Sequence, residues 1–221
     1  MAKKKFMVIG LGILGETVVR TLCEEGCEVL ALDMDPFYVD RVKGTTAVVV
    51  EGDSTDPKLL EQLGAHKMDA VMVCIGENFP GALMTTAHLL DLGVKHVAVR
   101  ATNELHARLL KRLGATDVFF VESEMGKSIA HRLSTPGLLH EMDLGQGLRI
   151  IEVGARAWMS GKKISDLALP KNFRTQIIAI RDASGNLILP TPETEIFADY
   201  KVVFVGMDRD LNRLLASSSL I

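Results

Sequence analysis

Three glycines and one carboxylate near the start of the chain carry its most specific chemistry. Gly10-Leu11-Gly12-Ile13-Leu14-Gly15 follows the apolar run Phe6-Met7-Val8-Ile9 and precedes Glu16 to Glu25, where Val18, Val19 and Leu22 recur at helical spacing. A strand, a glycine turn and a helix in that order suit a pyrophosphate. The first glycine permits the tight turn, the second lets the backbone approach the phosphates, and the third lets helix and strand pack closely. The helix N-terminus then faces the anion. Eighteen residues after Gly15, the run Glu28-Val29-Leu30-Ala31-Leu32 ends in Asp33, placed to accept hydrogen bonds from the two hydroxyls of an adenosine ribose. A 2′-phosphate would be repelled there. The glycine pattern alone is weak; the flanking strand, helix, second strand and terminal acid make it specific.

These residues need a sheet to hold them, and the rest of the first half supplies its rhythm. A helix starting near Pro36 leads to the strand Ala47 to Glu51, closed by Gly52-Asp53. A helix capped by Thr55 or Asp56 precedes the strand Ala70 to Ile75, closed by Gly76-Glu77-Asn78. Helices over 80–92 and 103–113 lead into the strands His96 to Val99 and Val118 to Val121, and Ser123 opens a last helix, Glu124 to Leu133. Six apolar strands alternating with amphipathic helices predict an α/β, Rossmann-like, doubly wound parallel sheet with its crevice at the carboxyl ends of the strands. Asp33, Asp53, Asn78 and Arg100 all fall at such ends. The cluster Ser134-Thr135-Pro136-Gly137 predicts a boundary, giving domains of residues 1–136 and 137–221. After it, Leu138 to Met142 reads as a short linker helix. Strands then follow over 149–153, 177–181, 187–189 and 202–205, with a hairpin turn at Ser184-Gly185-Asn186 and a closing helix from Asp208 to Leu215, a small α+β domain.

Composition narrows the partners. With 221 residues, 48% of them apolar, the chain can fill two modest cores. Its net charge of −3, with both signs interspersed, gives no basic field for nucleic acid or an anionic membrane. No apolar stretch reaches the roughly 20 residues that span a bilayer, so a cytoplasmic location without membrane insertion is expected. Cys23, Cys27 and Cys74 form no CxxC pair and read as reduced thiols. His66, His88, His96, His106, His131 and His140 show no metal-ligand spacing, and each is expected on a helix or at its edge. Trp158 reads as a core or interface residue of the second domain.

The order of elements, with the stretches Val8 to Gly12, Glu28 to Asp33, Gly52 to Asp56, Val99-Arg100-Ala101, Leu113 to Asp117 and Glu124-Met125-Gly126, resembles the cytoplasmic regulatory subunits of Ktr and Trk potassium uptake systems. Their RCK domains pair a Rossmann half with a small C-terminal module, which Gly161 to Leu167, Leu169-Pro170 and Ile178 to Arg181 resemble here. The resemblance implies a gating subunit that assembles as a homo-oligomer, dimers building a tetramer or octameric ring. It would dock at the inner face of the cell membrane on a separate channel or transporter subunit. It implies an adenine nucleotide, ATP or ADP or NAD(H), held by Gly10, Gly12, Ile13, Leu14, Gly15, Asp33, Asp53, Ser54, Asn78 and Arg100. It also implies that Glu122 helps hold a divalent cation or Na⁺ at the dimer interface. Ile13 stands where many Ktr members carry a basic residue, leaving Arg100 as the nearest basic group for phosphate.

Each assignment has a plainer alternative. Asp53 and Asn78 read either as nucleotide contacts or as caps, Arg100 as a phosphate contact or an ion pair, and Glu122 as a cation ligand or a helix-capping acid. Asp35 reads as a cap before Pro36. The competing function is an NAD-dependent oxidoreductase, but the only tyrosines, Tyr38 and Tyr200, lie in no Tyr-x-x-x-Lys arrangement, so a non-enzymatic role is expected. Cyclic di-AMP binding in the second domain is a weaker reading, because Ala168 and Gln176 depart from the residues expected for it.

Overall fold

The computed structural model describes residues 3–217. Its first unit, residues 1–124, holds six parallel strands: β1 (Lys5–Ile9), β2 (Glu28–Asp33), β3 (Val48–Glu51), β4 (Ala70–Val73), β5 (Val97–Arg100) and β6 (Asp117–Phe119). Their order is β3-β2-β1-β4-β5-β6, so the connections reverse direction between β1 and β4. Alternation along β1 shows how the sheet is covered. Met7 and Ile9 join Leu60, Leu89 and Leu110 in one apolar layer, while Val8 joins Val19 and Val42 in the other. Both faces are buried, as continuous apolar strands require.

The helices α1 (Ile13–Glu24), α2 (Pro36–Val42), α3 (Pro57–Gln62), α4 (Phe79–Asp91) and α5 (Glu104–Leu113) begin where local chemistry satisfies their free N–H groups. Asp35 accepts from Phe37 N ahead of Pro36, Asp56 from Lys58 N ahead of Pro57, Asn78 from Gly81 N, and Asn103 from His106 N. These caps place the strand-to-helix turns along one edge of the sheet. Helix α6 (Val121–Ser134) starts earlier than the expected Glu124, because β6 stops at Phe119 and the Phe120 carbonyl already accepts from Glu124 N at 2.9 Å.

The second unit, residues 125–221, is built on β7 (Leu138–Asp143), β8 (Leu148–Gly154), β9 (Lys162–Lys163), β10 (Gln176–Arg181), β11 (Leu187–Ile188), β12 (Glu195–Ile196) and β13 (Lys201–Met207), with short helices α7 (Ile164–Leu167) and α8 (Leu169–Asn172) and the closing α9 (Asp208–Ala216). An antiparallel sheet of order β11-β10-β13-β8-β7 packs Ile151, Val153, Ile180, Val202 and Phe204 against Phe173, Leu211 and Leu214, and β12 pairs with β9. Trp158 stacks on Phe173 at 5.8 Å and donates to the Ser217 carbonyl.

One expectation fails here. Residues 138–142 form no helix: they lie in β7, which pairs antiparallel with β8 from Leu138↔Val153 to Asp143↔Arg149. Gly145, Gln146 and Gly147 all take positive φ, forming the turn that folds β7 onto β8, and the ladder with β8 then supplies the backbone partners of this segment. His140 accordingly lies on a strand. The packing divides the chain at Glu124–Met125, within α6, whereas the turn cluster expected as a boundary lies at 134–137.

Candidate functional site

A cleft of about 410 Å³ opens at the carboxyl edge of the parallel sheet, where the strand order reverses. Ile9 and Gly10 at the end of β1, Leu32 and Asp33 at the end of β2, Cys74 and Ile75 beyond β4, and Arg100 at the end of β5 all line it. Gly12, Asp53, Ser54 and Asn78 line it too. Seven of the ten expected contact residues therefore share one cavity: Gly10, Gly12, Asp33, Asp53, Ser54, Asn78 and Arg100. Ile13, Leu14 and Gly15 are not among its lining residues. Ile13 is 83% exposed, and Leu14 packs in the apolar layer beneath α1.

The glycines divide their roles. Gly10 has φ +88°, and a Cβ there would lie 3.0 Å from Ile75 N. At Gly15 a Cβ would fall 1.8 Å from the Gly10 carbonyl oxygen, so this glycine is required by packing. Around Gly12 a Cβ would meet nothing within 4 Å, leaving the backbone there open to a ligand.

Asp33 is fixed by the turn it serves. Its Oδ2 accepts from Leu11 N at 2.6 Å and its Oδ1 from Asp35 N at 2.9 Å, while Gly10 N donates to the Leu32 carbonyl beside it. The carboxylate and the glycine turn therefore hold each other in register. Asp53 does what a cap does: Oδ1 accepts from both the N–H and the hydroxyl of Thr55, and these bonds, the backbone one first, lower its pKa. Ser54 spends its hydroxyl on Thr85 of α4 at 2.8 Å, bracing the loop after β3. Asn78 lines the cleft while capping α4.

Arg100 lies against the bare backbone of Gly76, where a Cβ would sit 2.4 Å from Nη1. Its Nη2 donates to the Glu122 carboxylate in the first turn of α6, and this hydrogen bond is the main reason the Glu122 carboxyl titrates below its usual range. Buried Arg100 Nε has no hydrogen-bond partner among the described residues. An orphaned guanidinium N–H beside an open glycine backbone fits a phosphate-bearing ligand. Glu122 does not line the cleft, and no group of three or more potential metal-ligating side chains occurs among the described residues.

Sequence reasoning missed Met34, Tyr38, Ile75, Gly76 and Glu77 as lining residues. For Gly76 a signal existed: a glycine directly after an apolar strand at the point where the sheet order reverses.

Comparison with known proteins agrees with this architecture. Residues 6–121 match the TrkA-N domain and 148–218 the TrkA-C domain. Ktr system potassium uptake protein C of Bacillus subtilis (strain 168) is 33% identical over 211 residues, covering 96% of each chain. Ktr system potassium uptake protein A of the same organism is 31% identical, covering 95% of each. Among solved structures, the GsuK channel bound to NAD superposes with a TM-score of 0.73 at 19% identity, over 98% of this chain and 40% of that one, which is a likeness of fold. The present chain thus spans less than half of that solved chain. Among the described residues no helix is long and apolar enough to cross a membrane. A TrkA-N domain followed by a TrkA-C domain, with whole-length similarity to two Ktr proteins, makes this chain a member of the Ktr and Trk potassium uptake protein family.

Proposed function

We propose that this chain is a nucleotide-sensing regulatory subunit of a potassium uptake system, binding an adenine nucleotide in the cleft and changing the geometry of an oligomeric ring. The observation that carries the reading is the convergence of Gly10, Gly12, Asp33 and Arg100 on one cavity at the switch point of the parallel sheet. Asp33 would hold the ribose hydroxyls, the turn N–H groups and the start of α1 would face the phosphates, and Arg100 would take phosphate oxygens. Four carboxylates line the cleft, Asp33, Asp35, Asp53 and Glu77, against the single guanidinium of Arg100. A triphosphate therefore gains more from an accompanying divalent cation than a dinucleotide does, and Glu122 is the proposed ligand to a divalent cation or Na⁺ at a subunit interface.

The partner is a membrane-embedded channel or transporter subunit, and the location is peripheral at the inner membrane face. This rests on the relatives' names as potassium uptake proteins. The role is regulatory and not enzymatic; steady turnover of NADH by the purified chain would favour an oxidoreductase instead. The domains separate near Pro136–Gly137, an exposed turn in which Gly137 has φ +78°. Limited proteolysis should cut first between Ser134 and Gly137, ahead of the paired strand β7, and a first cut within β1 to β6 would contradict that boundary.

The deciding experiment identifies the nucleotide that co-purifies with the full chain and titrates the stripped protein with ATP, ADP, NADH and AMP, with and without Mg²⁺. Scattering from the assembled protein then reads the ring. Micromolar binding with ligand-dependent ring dimensions is expected; identical dimensions in every state would leave a nucleotide that only stabilises the fold.

A further inference from the structure

Arg100, the sole cationic side chain lining the cleft among the described residues, is already engaged by a carboxylate outside it. Arg100 is held on one side by the bare backbone of Gly76 and is 24% exposed, whereas its partner Glu122 is 57% exposed on the first turn of α6. The two ends of this pair are therefore unequal. The guanidinium is built into the cleft wall, and the carboxylate is held only by Arg100 and by its own backbone N–H, with more than half of the side chain exposed. Such exposed carboxylate pairs are worth about a two- to fivefold preference. A phosphate offers a guanidinium more charge and more acceptor oxygens in a matching fork geometry. The displaced carboxylate recovers its hydration.

We propose that Glu122 occupies Arg100 as a stand-in for nucleotide phosphate, and that phosphate entering the cleft displaces it and releases the carboxylate at the start of α6. This rests on the reading of the cleft as an adenine-nucleotide site. It adds a direction of coupling: occupancy is passed to α6 by an exchange of anions on one guanidinium. The lowered pKa of Glu122, caused chiefly by the Arg100 hydrogen bond, belongs to the nucleotide-free state. Once released, Glu122 is free to take a cation, so phosphate binding comes before cation binding at this carboxylate. A ligand shifts an equilibrium only through contacts that differ between the two states, and this pair is such a contact.

The test is calorimetric titration of the full-length protein with ADP in EDTA, for wild type, Glu122→Gln, Arg100→Gln and the double variant. Removing a competitor should tighten ADP binding about three- to fivefold in Glu122→Gln, whereas loss of a direct nucleotide ligand would weaken it. In the Arg100→Gln background the same substitution should change nothing. Equal tightening in both backgrounds would mean only a long-range charge effect and would overturn the exchange, as would unchanged or weaker binding in Glu122→Gln. Because Glu122 lies on the surface, its glutamine variant should melt with wild type. An independent readout is a crystal structure of the wild-type chain with ADP: Arg100 Nη2 parted from the Glu122 carboxylate by more than 4 Å supports the exchange, and an intact pair overturns it. Failure of both wild type and Glu122→Gln to bind ADP, ATP or NADH would instead overturn the nucleotide reading of the cleft, on which the exchange depends.

Discussion

In the parallel sheet every strand runs the same way, so β1, β2, β4 and β5 deliver Gly10, Asp33, Cys74 and Arg100 to a single edge. In the antiparallel sheet neighbouring strands run in opposite directions and their ends are shared between two edges. Charge is used differently in the two as well. In the second unit Glu141, nearly buried, meets His131 at 3.0 Å and Arg149 at 3.3 Å, while Arg149 also meets Asp208 and Asn212. Glu152 meets Arg181 at 3.2 Å. These ion pairs tie α6, β7, β8, β10 and α9 into one unit. Unpartnered buried polar atoms occur in both units, Arg156 Nε and Thr175 Oγ1 in the second and Arg100 Nε in the first, but of these only Arg100 stands at the wall of the open cleft. Buried charge that is mutually satisfied holds a fold together. Polar groups left facing a cavity are available to a ligand.

The sharpest way to break this contrast uses two glycines of the same turn. Gly15→Ala puts a methyl group 1.8 Å from the Gly10 carbonyl and should cost about 3 kcal/mol or more. Thermal melting of the full chain should show a large drop, and a wild-type melting temperature would show slack in the turn. Gly12→Ala meets no atom within 4 Å and should melt within about 0.5 kcal/mol of wild type. Its methyl nevertheless occupies the open side of the turn, so nucleotide affinity should fall.

Asp33→Ala comes next. It removes a charged acceptor common to every adenine nucleotide and should cost about 1.5 to 3 kcal/mol of binding, roughly ten- to a hundredfold in affinity. It also strips Leu11 N and Asp35 N of their acceptor, so the turn should loosen. Unchanged ATP and NADH affinities in a folded variant would remove Asp33 from the site.

In the second unit the expected pattern inverts. Glu141→Ala leaves His131 without its carboxylate and Arg149 with Asp208 and Asn212 alone. It should lower stability by about 1 to 3 kcal/mol while leaving nucleotide affinity unchanged. Loss of binding in a variant that stays folded would refute the division between a ligand-facing unit and a self-satisfied one.

How much of this was legible in sequence follows from the same contrast. Parallel strands covered on both faces are continuous apolar runs, so Phe6 to Ile9 and Ala70 to Ile75 could be read directly, the latter two residues longer than β4, and the prolines marked a cap at Asp35 and another at Thr55 or Asp56, which the structure gives to Asp56. The position of Asp33 at the cleft could be read because it ends the second apolar strand, whereas its bonds to Leu11 N and Asp35 N carried no sequence signal. β7 could not be read, since Leu138 to Asp143 is a strand only by pairing with residues 148–153, and the three positive-φ residues that fold it back include Gln146, which carries no such signal. β9 and β12 are two residues each and exist only as partners. The Arg100–Glu122 pair joins residues 22 apart in sequence, and spacing alone left ion pair and phosphate contact as open alternatives.

The smallest effect concerns Cys74, which lies on the floor of the cleft yet behaves as core. Burial raises its thiol pKa to about 12, with the nearby Arg100 charge pulling weakly the other way. The reactive species is the thiolate, so at pH 8 Cys74 should resist thiol reagents although the cavity reaches it. Cys23 and Cys27 are only half-buried and should label quickly. Two fast thiols in the native protein and a third released on unfolding is the expected count. The sign of the pH effect follows from the direction of the shift. A raised folded-state value contributes stability that is whole below the unfolded thiol value, about 8.5, and is lost as pH rises through the folded one. Alkaline melting should therefore weaken between about pH 9 and 12 in wild type, and less in Cys74→Ala measured against its own stability at pH 7. Equally fast labelling of all three thiols would show that water reaches the cleft floor freely, and the distinction between a packed core and a ligand-ready edge would then fail at the residue where the two meet.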